Sequence, residues 1–334
     1  MNAPSPGYRR LAVATAIATF ALIIVGGIVR VSDSGLGCGP GGSGFHGWPF
    51  CNGDVVPGID LNSVIEYSHR ALAGAVTIMM FTLAVLAFRR YRAHRGLVRA
   101  TTGAALLIVA QAALGGATVE ENLKEVLVAA HLGLAMLLLG LLLYIVRASG
   151  QWTADSGQGE GPAAAVPRWL AISASFAVLC TIVAGGYMAG TQKYGRADYQ
   201  LGDGAHHACG KQFPACNDGF LPFGQSRLVD IHLTHRAFMY LTTLFALTLV
   251  AVALRRRPSP GVVRAALTVA ALLVLQVLVG ALNVWLDEYE ALIVVHLALG
   301  TLLWASTLEL TLQLFRVPAP SLERARGRTE AVVA

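Results

Sequence analysis

Charge is scarce in this chain. Asp, Glu, Lys and Arg make up 13% of its 334 residues and hydrophobic residues 55%, whereas a soluble domain is about a quarter charged. With a mean hydropathy of +0.60, a soluble globular class is excluded and an integral membrane protein is indicated. A nucleotide-binding loop is also lacking, since the glycine-rich stretch 38–47 has no Lys-Ser/Thr ending. The net charge of +6 comes from arginines beside apolar runs, not from a basic face, which excludes nucleic acid as a partner.

What is there instead is a series of eight apolar runs, each near the roughly 20 residues that cross the hydrocarbon as a helix. They cover residues 11–29, 66–88, 100–119, 126–146, 169–192, 231–254, 265–286 and 291–308. The first has signal-peptide character, but its length and the lack of a clear small-residue cleavage site mark an uncleaved helix. Arginines gather at alternate ends of the runs: Arg9 and Arg10; Arg89, Arg90, Arg92, Arg95 and Arg99; Arg255, Arg256, Arg257 and Arg264; Arg316, Arg324, Arg326 and Arg328. The positive-inside rule places these segments and both termini in the cytoplasm.

Every second run carries histidine, and the pattern occurs twice. Glu66-Tyr67-Ser68-His69-Arg70-Ala71 is matched by His232-Leu233-Thr234-His235-Arg236-Ala237, and His131-Leu132-Gly133 by His296-Leu297-Ala298, at a period of roughly 165 residues. Gln111 answers Gln276, and Val25-Gly26-Gly27 answers Ala184-Gly185-Gly186. The expected fold is therefore an all-α integral membrane protein: eight transmembrane helices as two direct repeats of a four-helix bundle, related by an axis along the membrane normal. Its parts are an N-terminal bundle 1–148, a cytoplasmic linker 149–167 rich in Gly, Ala and polar residues, a C-terminal bundle 168–316 and a cytoplasmic tail 317–334. Gly26, Gly115, Gly185 and Gly280 read as places of close helix packing.

A histidine in an apolar run is costly without a partner, and a metal or haem iron is a common one. His69, His131, His235 and His296 all fall near the outer ends of their helices, at one depth. No helix carries two widely spaced histidines, unlike a cytochrome b helix that serves haems near both faces. One histidine from each of two facing helices can reach both axial positions of a haem, which predicts the pairs His69 with His131 and His235 with His296. Zinc would be short of ligands. Arg70 and Arg236 are candidate contacts for haem propionates, with snorkelling to the interface as the alternative.

The two halves differ three residues before the first histidine, where Glu66 stands against His232 on the same helix face as the ligand. A carboxylate beside a haem can act as a base or stabilise positive charge, so Glu66 is the candidate catalytic residue; simple pairing with Arg70 is the structural alternative. His232 reads as a spare ligand, a proton relay or a packing residue. Cys38 with Cys51 and Cys209 with Cys216 lie in outer loops and read as disulfides, one per half, that could also be redox-active. A metal site of His206, His207, Cys209 and Cys216 is the rival reading. Cys180 is expected to be a buried, unreactive thiol, and His46 and His94 solvated loop side chains.

In this order the motifs resemble the haem A synthase family, the membrane enzymes that oxidise haem O to haem A for cytochrome oxidase assembly. The resemblance rests on Ser34-Gly35-Leu36-Gly37-Cys38, Trp48-Pro49-Phe50-Cys51-Asn52-Gly53, Glu66-x-x-His69-Arg70, His232-x-x-His235-Arg236, His131 and His296. It spans all eight runs and leaves out the linker and tail, and residues 39–47 make the first loop longer than the family's usual form. It implies stepwise oxidation of one porphyrin methyl group to a formyl group. Substrate haem would be served by His69, His131 and Glu66, and a cofactor haem b by His235 and His296. Two ligands on the substrate iron leave no open position for oxygen, so water is expected to supply the formyl oxygen. A formyl oxygen derived from molecular oxygen, with exchange excluded, would rule that out.

The partners implied are haem O, membrane lipid, a haem O synthase and a quinone-linked electron acceptor, at the cell membrane with the haem sites toward the outer face. The alternative function is a non-catalytic dihaem b electron carrier, which would tolerate Glu66→Gln. A transporter of parallel repeats fits the topology and leaves the matched histidines without a role.

Overall fold

The computed structural model describes residues 4–150, 166–192, 204–257, 259–286 and 289–315. Within them lie eight long helices: α1 (Pro6–Val31), α2 (Leu61–Arg90), α3 (Arg95–Glu120), α4 (Glu125–Ala148), α5 (Arg168–Gly190), α6 (Arg227–Arg256), α7 (Pro260–Trp285) and α8 (Glu290–Leu314). All eight are long and apolar enough to cross a membrane. The molecule is all-α and has the build of a multi-pass membrane protein. Most of the linker, and the tail with Arg316, Arg324, Arg326 and Arg328, lie outside the described residues.

The helices overrun the apolar runs that announce them. Arg9 and Arg10 are inside α1, Arg89 and Arg90 close α2, and Arg255 and Arg256 close α6. A helix of 30 residues is about 45 Å long against a hydrocarbon core of about 30 Å, so its last turns stand among headgroups, where arginine is at home. Helix starts are set by side chains that satisfy free backbone hydrogens. Ser5 caps α1, Asp60 accepts from Ser63 N at 3.0 Å, Ser226 caps α6, and Ser259 caps α7 ahead of Pro260.

Two cores hold the bundle. One lies wholly within α1–α4 and the residues joining them, built around Val76, Met80, Leu83, Ile108, Leu142 and Ile145. The other lies mainly in α5–α8, around Leu249, Val269, Leu273 and Leu310, and also takes in Ile23 of α1 and Met136 and Leu139 of α4. Helices α1, α4, α5 and α8 form the seam. Across it Trp304 donates its indole hydrogen to the Met136 carbonyl at 2.9 Å, and Arg147 pairs with Glu309 at 2.7 Å. Near the other end Arg30 donates to the carbonyls of Ala189, at 2.7 Å, and Gln192, while Arg227 pairs with Glu125.

Candidate functional site

The four repeated histidines sit within about the first three turns of α2, α4, α6 and α8. Each imidazole lies against a glycine of the preceding helix. A Cβ added at Gly26 would fall 3.1 Å from Cε1 of His69, and one at Gly115 3.1 Å from Cε1 of His131. At Gly185 the distance to His235 Cε1 would be 3.0 Å, and at Gly280 to His296 Cε1 2.9 Å. These glycines, read from sequence as helix-packing residues, are notches that seat a ring. Only a side chain without Cβ leaves space for an imidazole there at ordinary van der Waals distance.

Within each half the two rings are in electrostatic reach of each other, His131 of His69 and His296 of His235. His235 is oriented by its Nδ1, 3.0 Å from the Thr181 carbonyl; in the hydrogen-donating tautomer this leaves Nε2 as the free lone pair, the form that ligates a metal. His131 and His296 have buried Nδ1 atoms with no hydrogen-bond partner, while the Leu22 carbonyl stands to His69 as that of Thr181 does to His235. Gln111 donates to the His131 carbonyl at 2.9 Å, and Gln276 lies 3.2 Å from His296 Nε2; the amide oxygens of both glutamines are buried without a partner. Buried polar atoms left over in matching places are what a ligand-binding cleft leaves behind. Among the described residues no group of three or more His, Cys, Asp or Glu could hold a metal ion. Paired imidazoles over glycine notches fit a planar ligand whose iron needs two protein ligands.

Glu66 is 4% exposed and held from two sides. Its Oε2 accepts from Cys38 N at 2.8 Å, and its Oε1 pairs with Arg70. The pairing read as the structural alternative is thus present, and the loop amide adds to it. Arg70 also donates to the carbonyls of Gly47 at 2.7 Å and Phe50 at 2.8 Å. Neither arginine simply reaches out to the interface. Arg236 repeats the clasp on the other loop, donating to Gln212 O at 2.9 Å, Ala215 O at 2.7 Å and Pro214 O at 3.4 Å. Arg236 is 3% exposed and has no carboxylate partner among the described residues, because the position matching Glu66 is His232. His232 directs Nδ1 to the Ala205 carbonyl at 2.8 Å.

Both loops are cross-linked: Cys38 is bonded to Cys51, and Cys209 to Cys216. With both sulfurs of the second pair consumed, the rival metal site with His206 and His207 is not formed. His206 lies in the turn Ala205–Cys209, and burial pushes its imidazole well below the usual histidine range. His46 is exposed in the turn Gly44–His46. His94 is half-buried and meets Tyr91 edge-on, so it is not simply solvated. Cys180 is half-buried, where a buried thiol was expected. Trp48 was not read from sequence as a contact residue, yet its indole covers Gly116, next to the glycine that seats His131: a Cβ there would fall 3.0 Å from Cδ2. The double glycine was the signal that could have pointed to a bulky partner.

Eight long apolar helices, four of them carrying a histidine near one end beneath disulfide-bonded loops, define a multi-pass membrane protein. The chain belongs to the COX15-CtaA family, described as cytochrome oxidase assembly protein, whose model matches residues 9–308. It is similar to the Heme A synthase of Shouchella clausii, with 27% identity over 73% of this chain and 75% of that protein. The Heme A synthase of Alkalihalophilus pseudofirmus is 29% identical over 72% and 76% of the two chains. That of Bacillus licheniformis is 31% identical over 142 residues, 41% of this chain and 45% of the relative. The family associates the chain with haem A synthase activity.

Proposed function

We propose that the chain oxidises haem O to haem A, converting one porphyrin methyl group stepwise to a formyl group for cytochrome oxidase assembly. The observation that carries the reading is the matched set of four glycine-seated histidines, with Glu66 in the first half where the second has His232. Residues 1–148 are the substrate half, with His69 and His131 toward the substrate iron. Residues 168–316 are the cofactor half, with His235 and His296 toward haem b. Haem b supplies one-electron redox chemistry when bound.

The chain's own residues divide the remaining work. Glu66 places its carboxyl three residues before His69, and its oxygens keep lone pairs beyond those used by Cys38 N and Arg70, so it can accept a proton or steady positive charge near the reacting group. Arg236 is a buried cation with no carboxylate partner among the described residues, a setting that favours an incoming propionate. Arg70 is already neutralised by Glu66 and shares its donors with loop carbonyls, so any propionate contact there is a secondary one. The cross-linked loops cap the histidine ends of the bundle and shield them from water.

The two halves are read as direct repeats with both termini and the linker 149–167 in the cytoplasm, which puts the histidines toward the outer face of the cell membrane. The equal lengths of α2 and α6, 30 residues each, and of α3 and α7, 26 each, support the repeat. Haem O, lipid, a haem O synthase and a quinone-linked acceptor are the partners this function needs.

The test is expression in cells that make haem O and have no haem A synthase of their own, followed by chromatography of extracted haems, with Glu66→Gln alongside. Haem A from the wild type, and its loss or arrest at a hydroxylated intermediate in the variant, is the expected result. Bound haem b and no haem A from either, with folded protein and haem O present, would favour a dihaem electron carrier.

A further inference from the structure

In α1 and α5 the glycine that seats a histidine is followed by a second glycine, and the second meets the other half of the molecule. A Cβ added at Gly27 would fall 2.6 Å from Cδ2 of Leu297, the residue after His296. A Cβ added at Gly186 would fall 2.9 Å from Cδ2 of Leu132, the residue after His131, and 3.4 Å from Cα of Ala129. Successive residues on a helix point about 100° apart, so one Gly-Gly pair can serve two neighbours. Helix α1 thereby touches His69 of its own half and the His296 segment of the other. Helix α5 touches His235 of its own half and the His131 segment of the other.

Close backbone packing accounts for part of the contact at Gly186, where Ala129 Cα lies 3.4 Å from the added Cβ, and not for that at Gly27. Where backbones do approach, glycine faces backbone: a Cβ at Gly190 would fall 2.5 Å from Cα of Glu125. At Gly27 the nearest atoms are those of the Leu297 side chain. In α3 the second glycine, Gly116, is covered by Trp48 of the first loop, and in α7 the second position is Ala281. Among the four second positions, those of α1 and α5 meet the other half, as do Gly133 and Gly140 farther along α4.

We propose that Gly26-Gly27 and Gly185-Gly186 are crossed positioning residues: the first glycine seats the ring of its own half, and the second fixes the helix that carries a histidine of the opposite half. The two sites are then set jointly. The inference rests on the haem-binding reading above.

The test uses the full chain purified with its haem, and the low-spin electron paramagnetic resonance signal of each site. The signals are assigned by which is lost in His69→Ala and which in His296→Ala. Gly27→Ala is expected to shift the signal that His296→Ala abolishes, although residue 27 belongs to the first half. Gly26→Ala is expected to shift the other. Adding Leu297→Ala to Gly27→Ala should relieve the clash and return the shifted signal toward its original position. A Gly27→Ala protein that shifts only the first-half signal, or neither, overturns the proposal.

If Gly27→Ala fails to accumulate, Gly186→Ala makes the mirrored test on the first-half signal. Thermal unfolding of haem-free protein supplies a second readout, in which positions 27 and 297 should be coupled and the double variant no less stable than Gly27→Ala. A wild type that binds no haem would sink the haem reading. The unfolding cycle then decides the crossed contact, and additive effects overturn it.

Discussion

Glu66 accepts the backbone hydrogen of Cys38 at 2.8 Å, and the Cys38 sulfur is bonded to Cys51. The acid three residues before His69 is therefore hung from a cross-linked loop, and the loop's integrity and the carboxylate's placement are one matter. Replacing Cys38 and Cys51 by Ser opens a cross-link of sequence separation 13, which in the chain-entropy model costs about 3 kcal/mol. The expected outcome is a lower unfolding temperature together with reduced haem A formation; unchanged activity in the presence of reductant would show that Glu66 keeps its place without the cross-link.

Glu66→Gln retains an acceptor for Cys38 N and loses the ionic partner of Arg70. Because Arg70 keeps two loop carbonyls, the stability cost is expected to be about 1–3 kcal/mol, well short of unfolding. Activity should fall far more than stability, and a thermal melt run beside haem chromatography separates the two.

Arg236→Ala is expected to weaken retention of haem in the second half by roughly 10- to 100-fold, the worth of one charge-assisted hydrogen bond or two. His232→Glu should have the same direction of effect, since it gives Arg236 a carboxylate to bind in place of a propionate. Haem-to-protein ratios after transfer to excess apomyoglobin measure both.

Gly37→Ala would place a Cβ 2.4 Å from the backbone carbon of Asn62, with no flexible side chain to give way, whereas a Cβ at Gly74 meets nothing within 4 Å. Gly37→Ala is expected to destabilise by about 2 kcal/mol or more, and Gly74→Ala to be neutral or to stabilise by up to about 1 kcal/mol. Equal melting temperatures for the two would contradict the close approach of loop and helix.

Arg147→Ala leaves Glu309 buried without its counter-ion, and Gln313, which donates to the same oxygen at 2.8 Å, compensates only in part. The expected loss is about 3 kcal/mol, largely recovered when Glu309→Leu is added. A double variant as unstable as the single one would refute the pairing across the seam.

The eight crossings, the four histidines and the two cysteine pairs were legible because each is a property of a short stretch: a long apolar run, a costly polar residue within it, a pair of thiols in one loop. Helix α2 runs past its apolar stretch to Leu61 and Arg90 because hydropathy marks where hydrocarbon stops, while the helix continues until its hydrogen bonds run out. The notches at Gly26, Gly115, Gly185 and Gly280 were seen as small residues and misread in role, since what a glycine makes way for depends on the facing helix. Arg70 and Arg236 were found, but the carbonyls they clasp lie some twenty residues upstream and carry no side-chain signature. Half-burial of Cys180 depends on how α5 is rotated, which its apolar run does not specify.

The seam is unequal in one respect. The core around Met80 and Leu142 is complete within α1–α4 and the residues joining them, whereas the core around Leu249 and Leu310 includes Ile23, Met136 and Leu139 from helices made earlier. Synthesis delivers first the half with a core of its own, and then the second half onto a surface already waiting for it. If the chain were severed between residues 151 and 165, the first piece alone would bare Ile23, Met136 and Leu139, and the second would lose those three side chains from its core.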